Sequence, residues 1–533
     1  MHGDITGMMT HVHKQKENEM AVCPAKSRRH PVIRVLIVLE WLFVLWLVLE
    51  SAEAGRSYIA ERAYQEYSYQ QNLKVYRMAP AEEKNAPGNE YSKPRALLVF
   101  PDGKESSVGQ IGETLPDNIL EMVFQGQMRA LFNGEGQLLE SCGEPLIEQD
   151  LLRFVRGLRS DAVWENVLQA IREGRDHLEE RCTLTIGTPV HYAITLKKVK
   201  DGESTHFVVI AQDINNQMPL EALHYGEVPG PESPWEIMFY RYKKNWSIPD
   251  NTMLQTNEFG FRDHAITIPK PAGVYRIVCI GGSTTEEGNS TDATYPKIVE
   301  RKLAQRFGTG RIEVINAGTC GTNTYNIRRR FGDFLALQPD LILFYGGVND
   351  TTHLHSQFWL DAVPRWKKWA RRSFIINRYF GFYLLPGAEE LSSYMRDTTY
   401  RNLLSMRHAA RKQGVEMAWC SFAYPTLHWY DMRAKNYYDI NMRDVWHGQG
   451  LINFRAYCRV TDVFNQTGRD IAQKEGVPWF PVAEQFVAGA DHFFDICHMT
   501  PQGLALKTDI FADLITDYLE KQGWLHSPGK DVP

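Results

Sequence analysis

The stretch RIVCIGGSTTEEG, Arg276 to Gly288, decides how this chain folds. Five residues with a strand bias, Arg276 to Ile280, run into Gly281 and Gly282, and Ser283 follows at once. A hydroxyl therefore stands where a buried strand breaks into a tight turn. Two readings compete. The serine is turn or helix-cap chemistry, or it is a nucleophile displayed at the carboxyl edge of a sheet. In the second reading the two glycines let the backbone turn without side-chain clashes. The flanking segments discriminate between them.

Outward from this stretch, apolar strand-like runs alternate with helical ones. The strand candidates are Tyr275–Gly282, Arg311–Gly318, Pro339–Gly347, Val415–Pro425 and Val477–Glu484. Between them lie amphipathic runs such as YPKIVERKLAQRF, NIRRRFGDFLAL, YRNLLSMRHAARKQG and VFNQTGRDIAQKEG. A last helix begins after Thr500, a natural N-cap, with Pro501 in its first turn and Ile510, Phe511, Leu514, Ile515 and Tyr518 on one face. Continuous apolar strands with intervening helices predict a parallel sheet covered on both faces, a three-layer α/β/α domain with five strands. Ligands of such sheets sit beyond the carboxyl ends of the strands.

Those ends carry a consistent chemistry. Strand one ends at Ser283, strand two at Asn316-Ala317-Gly318, strand three at Gly347-Val348-Asn349-Asp350, and Asp495-Ile496-Cys497-His498 follows strand five. A serine hydroxyl needs a base, which His498 can supply, and the base needs an orienting carboxylate, which Asp495 can supply from three residues earlier. The oxyanion of an acyl-transfer intermediate needs donors already in place. The N–H groups of Ser283 and Gly318 and the Asn349 amide are the candidates. Each piece alone has a plainer reading: a turn glycine, an Asx turn at Asn349-Asp350, a surface pair at Asp495 and His498. Gly318 alone reads as a loop glycine with an unusual backbone angle. The order and spacing of all four favour the site.

From about Val274 to Leu519 the chain resembles the SGNH (GDSL-type) hydrolase superfamily. GGSTTEEG matches its first block, Gly318 in NAGTCGTN its second, GVND its third and DICH its fifth. The family's usual Gly-Asp-Ser is Gly-Gly-Ser here, and NEFGFRD, Asn257 to Asp263, is similar to a lead-in of exported bacterial members. The resemblance implies a flavodoxin-like fold. It makes Ser283 the nucleophile, His498 and Asp495 its partners, and Asn349 an oxyanion donor, with no metal or organic cofactor.

The whole chain has 533 residues, 43% hydrophobic and 23% charged, which is the composition of a globular body. Its net charge of -5 offers no basic excess for nucleic acid. The eight cysteines form no CxxC pair, which argues against structural zinc and leaves at most one or two bridges. VLIVLEWLFVLWLVL, Val35 to Leu49, follows Lys14, Lys16, Lys26, Arg28, Arg29 and Arg34. This predicts a cytoplasmic tail over 1–30, a signal anchor over 31–52, and export of all that follows. The AEA at 52–54 keeps signal cleavage as the competing reading. Residues 53–118 read as a connector that starts helical and ends in a loop rich in proline and glycine, with RALLVF as one strand. Residues 119–216 read as an α+β unit: a hairpin around Asn133–Gly136, one helical stretch from about Glu148 to Arg175, then three strands. In that order it resembles a PAS domain. The hydrolase domain would occupy 217–533.

Three further readings stay open. His492, Asp495 and His498 have a spacing that on a helix could hold a metal, and His353–His355 is a second candidate. Cys320 and Cys497 flank the motifs, as reactive thiols, a bridge or buried spectators. The aromatic segments 358–387 and 425–439 follow strand ends and suggest a cleft wall, a lid or a membrane contact. The expected function is an exported, membrane-anchored serine esterase acting on small-molecule or glycan O-acyl esters. The rivals are acyl transfer to an envelope glycan by the same triad and a non-catalytic sensory or binding protein.

Overall fold

The computed structural model describes residues 31–78, 117–214, 233–351, 365–425, 454–486 and 490–524, apart from short breaks at 158–160, 187, 202–203, 238–240, 249–250, 371, 374 and 385. The N-terminal part is one helix, Pro31–Met78, of 48 residues. Its segment Val35–Arg56 is long and apolar enough to cross a membrane, and the large apolar side chains from Val35 to Leu49 that are described are mostly exposed. The helix thus runs past the expected anchor and through the first part of the connector. RALLVF lies outside the described residues.

The α+β unit follows the helix Asp117–Gln125. Strands β1 (Gln127–Asn133) and β2 (Leu138–Gly143) form the expected hairpin. Strands β3 (His177–Ile186), β4 (Thr188–Asp201) and β5 (Ser204–Asp213) complete an antiparallel sheet in the order β2-β1-β5-β4-β3. The single helical stretch expected here is two helices, Pro145–Val155 and Ala162–Arg172. Gly157, at φ +69°, turns the chain out of the first, and the Asp161 carboxylate caps the second by accepting the N–H of Val163 at 2.9 Å. These helices and the sheet share a core that includes Trp164, Tyr192, Leu196 and Val209, all fully buried.

Two small strand pairs follow, β6 (Trp235–Ile237) with β7 (Arg241–Tyr242) and β8 (Ser247–Ile248) with β9 (Asn251–Gln255). The main sheet then builds from β10 (Tyr275–Ile280), β11 (Ile312–Asn316), β12 (Leu341–Phe344), β13 (Glu416–Cys420) and β14 (Trp479–Phe480). All neighbours are parallel, in the order β11-β10-β12-β13-β14. All four residues of β12 are buried, as in a strand covered on both faces. The helices Tyr295–Phe307 and Pro501–Lys521 pack on each other, with Lys302–Asp509 and Arg306–Asp513 pairs at 2.6 Å. Arg401–Arg411 packs beside Thr324–Arg329. This is the expected three-layer α/β/α arrangement. The NIRRRFGDFLAL run is two short helices rather than one, Thr324–Arg329 and Phe331–Leu335, with Arg330 between them. Strand β14 is only two residues long because Pro478 and Pro481, which lack N–H donors, bracket it.

Candidate active site

Strand β10 ends at Gly281-Gly282, and Ser283 opens a one-turn helix, Ser283–Glu286, with Gly282 at its cap. A side chain at Gly282 would stand 2.8 Å from Asn349 Nδ2. The missing Cβ is what lets the turn touch the loop after β12. Gly318 serves a related purpose: its Cβ would meet the backbone N of Glu286 at 2.6 Å. Its φ is not positive, so it is a glycine because the chains approach closely, not because of an unusual backbone angle.

The loop before the last helix brings in the other groups. A bridge between Phe493 and Met499 closes it, and Thr500 caps the helix by accepting the Gly503 N–H at 3.2 Å. Inside the loop one Asp495 oxygen accepts the N–H groups of Cys497 and His498, at 2.8 and 2.7 Å. The other oxygen lies 2.6 Å from His498 Nδ1. His498 Nε2 lies 2.7 Å from Ser283 Oγ. Serine, imidazole and carboxylate thus form one hydrogen-bonded line from two distant parts of the chain.

Asn349 stands opposite, after β12. One of its amide hydrogens goes to the carbonyl of Thr322 at 2.8 Å, which leaves the second for a ligand. The Gly318 N–H already donates to Asn316 Oδ1 at 3.1 Å. Of the donors expected from the sequence, the structure therefore gives Gly318 an internal acceptor.

Residues 279–506 match the family model described as GDSL-like Lipase/Acylhydrolase. This domain belongs to the GDSL-like lipase/acylhydrolase family. The chain is accordingly a hydrolase of the esterase and acylhydrolase class. Solved structures similar to it include a GDSL-like lipase from Bacteroides thetaiotaomicron, 18% identical, with a TM-score of 0.26 over 46% of this chain and 88% of that one. Another is an acetyl xylan esterase variant from Geobacillus stearothermophilus, 16% identical, with a TM-score of 0.29 over 45% of this chain and 94% of that one. A third is an alpha/beta hydrolase enzyme from a Lake Arreo metagenome, 19% identical, with a TM-score of 0.27 over 48% and 99%. No curated protein matches the chain.

In the GDSL-like domain the imidazole and the carboxylate each favour the other's charged form. Burial disfavours the His498 imidazolium, but the Asp495 carboxylate outweighs it and holds the His498 pKa well above its ordinary value. Burial likewise acts to raise Asp495, yet His498 and the loop N–H groups keep it below the usual carboxylate range. Beneath the site Glu287 accepts the Met499 N–H at 3.0 Å and pairs with Lys507, whose ammonium also donates to the Thr284 carbonyl at 2.9 Å. That one buried pair touches the residue after the serine and the residue after the histidine. Sequence pattern did not single out either member. The NEFGFRD lead-in did carry a signal. Arg262 donates to the carbonyls of Glu286 and Gly288 at 2.9 and 2.8 Å, and Asp263 accepts the Asn316 N–H at 2.6 Å.

Other candidates do not join the hydrogen-bonded line. Residues 493–500 are not helical, so the register that would align His492, Asp495 and His498 on one helix face is not formed. His492 packs its ring against Phe486 instead. His353–His355 lies outside the described residues. Burial raises the Cys320 and Cys497 thiols to about 12, which keeps both protonated and unreactive. No disulfide forms among the described cysteines. In the aromatic segment, Trp366 and Trp369 are 63% and 67% exposed, and the 426–439 stretch lies outside the described residues.

Proposed function

We propose that the chain is an exported, membrane-anchored serine esterase that hydrolyses O-acyl esters through Ser283, His498 and Asp495. The observation that carries this reading is the continuous line of two short contacts, Ser283 to His498 at 2.7 Å and His498 to Asp495 at 2.6 Å. Ser283 Oγ attacks the ester carbonyl as its proton passes to His498 Nε2. Asp495 keeps Nδ1 protonated and stabilises the imidazolium. The tetrahedral oxyanion is held by the second Asn349 amide hydrogen and the Ser283 N–H, with Gly318 as a shared donor. Donors of this kind are worth about 10²–10³ in rate each. The C–O bond to the alcohol breaks and His498 returns its proton to the leaving oxygen. Water then attacks the acyl-serine, gives its proton to His498, and the acid departs as Ser283 regains a proton.

The apolar helix segment after a basic tail supports anchoring and export. An exported location favours a small O-acyl ester on an envelope carbohydrate as substrate. What supports a PAS-like reading of the middle unit is its element order, a hairpin, two helices and three strands. The test is hydrolysis of p-nitrophenyl acetate by the full chain in detergent. Ser283→Ala should lose at least about 10⁴ in kcat. Equal rates in the two proteins would remove the esterase assignment.

A further inference from the structure

The middle α+β unit does not merely sit beside the hydrolase domain. Three buried ion pairs and one buried tyrosine bolt it to the elements that carry the oxyanion side of the site. Arg328 donates to Glu144 at 2.8 Å, and both side chains are 0% exposed. Arg401 reaches Glu148 at 2.9 Å, with 4% and 2% exposure. Tyr325 belongs to the core of the middle unit, although it sits on the helix Thr324–Arg329 of the other domain. Its hydroxyl donates to Asp213 at 2.8 Å, and Arg329 reaches the same carboxylate at 3.1 Å.

The far side of these anchors leads to Asn349 in few steps. Thr324, next to Tyr325, donates its hydroxyl to Asp350 at 2.6 Å and its N–H at 3.2 Å. Thr399, two residues before Arg401, donates to the same carboxylate at 3.0 Å. Burial pushes the Asp350 pKa up to about 6, so this carboxyl depends on those donors. Asn323 caps the helix through a reciprocal pair with Asn326, and Thr322 just before it donates its hydroxyl to the carbonyls of Thr319 and Gly281 at 2.8 and 3.2 Å. The Thr322 carbonyl is the acceptor that orients the Asn349 amide.

We infer that Tyr325 and Arg328, gripped by Asp213 and Glu144 of the middle unit, are positioning residues for the Asn349 oxyanion donor. The middle unit thereby sets the turnover of the esterase site. This rests on the reading of Asn349 as an oxyanion donor. Any ligand that shifts the start of the Pro145–Val155 helix or the end of β5 would then change kcat, because both Glu144 and Asp213 lie there.

A double-mutant cycle on the full chain tests this. Tyr325→Phe keeps the ring in its core and removes only the hydroxyl. It should lower kcat for p-nitrophenyl acetate by about tenfold with KM within about twofold. Asn349→Ala alone should lose about 10²–10³. In the Asn349→Ala background, Tyr325→Phe should cost nothing more, because its route to the oxyanion is already cut. Asp213→Asn, which leaves the tyrosine intact, should repeat the pattern if Tyr325→Phe fails to fold. Circular dichroism checks folding in each case. An unchanged kcat in Tyr325→Phe, or losses that multiply in the double variant, would overturn the inference. Wild-type kcat in Asn349→Ala alongside an inactive Ser283→Ala would overturn it while sparing the esterase reading. An active Ser283→Ala would strike the esterase reading itself.

Discussion

At the scale of single residues the decisive quantity is the proton on His498. A general base works only in its neutral form, and the imidazolium here is held well above the ordinary histidine value of about 6.5 by Asp495. A raised pKa means that the free base appears only at higher pH. Ester hydrolysis should therefore climb through pH values above about 6.5 before it levels off. Asp495→Asn removes the charge that raises the pKa. The midpoint of the kcat/KM profile should move to lower pH while kcat falls by about 10⁴. A midpoint that stays put would show that Asp495 does not set the His498 charge. Much at this scale was legible beforehand. Ser283 and Asn349 follow strand ends, Asp495 and His498 lie in the loop before the last helix, and their residue types declare their chemistry. The Asn316 side chain on the Gly318 amide was not legible. Pattern tells which residue ends a strand, but not where its backbone N–H points.

At the scale of elements the last helix does more than cover the sheet. From Pro501–Lys521 it projects Lys507, fully buried, onto Glu287 and over the rings of Tyr295 and Tyr345, at 4.5 and 5.0 Å from their centroids. Burial lowers the Lys507 pKa, and Glu287 offsets part of that. Lys507→Met leaves Glu287 buried against only the Met499 N–H. The cost should be about 3–5 kcal/mol in urea denaturation, as for a buried pair stripped of one partner. Adding Glu287→Gln should return most of that loss, since no buried charge is then left over. A single substitution that costs under about 1 kcal/mol would mean that the pair is better hydrated than its burial suggests. The amphipathic stripe of this helix was readable from its apolar spacing, and so were the five strands. Breaks such as the turn at Gly157 were not, because an amphipathic helical run flanks it on either side.

At the scale of the whole molecule, the fold class followed from alternation of strand and helix, but the lock between the middle unit and the hydrolase domain did not. Arg328 and Glu144 are 184 positions apart, and a charged residue in an amphipathic run reads as a solvated face until its partner is known. Only folding shows that these charges are buried in pairs. Topology is the converse case, because composition alone argues it. Val35–Arg56 has 22 residues, which as a helix spans about 33 Å, enough for a hydrocarbon core of about 30 Å. Lys26, Arg28, Arg29 and Arg34 crowd its N-terminal flank. Over the next twenty residues beyond the span, 57–76, the two basic residues Arg62 and Lys74 are matched in number by Glu61 and Glu66. The positive flank should stay inside, which sends Ser283 and its partners across the membrane. Alkaline phosphatase, active only after export, should therefore be active when fused after Met78. Replacing Lys26, Arg28, Arg29 and Arg34 with glutamine should reduce that activity by weakening the orientation signal. An inactive fusion in membrane-integrated protein would place the esterase site on the cytoplasmic side and remove envelope esters from its reach.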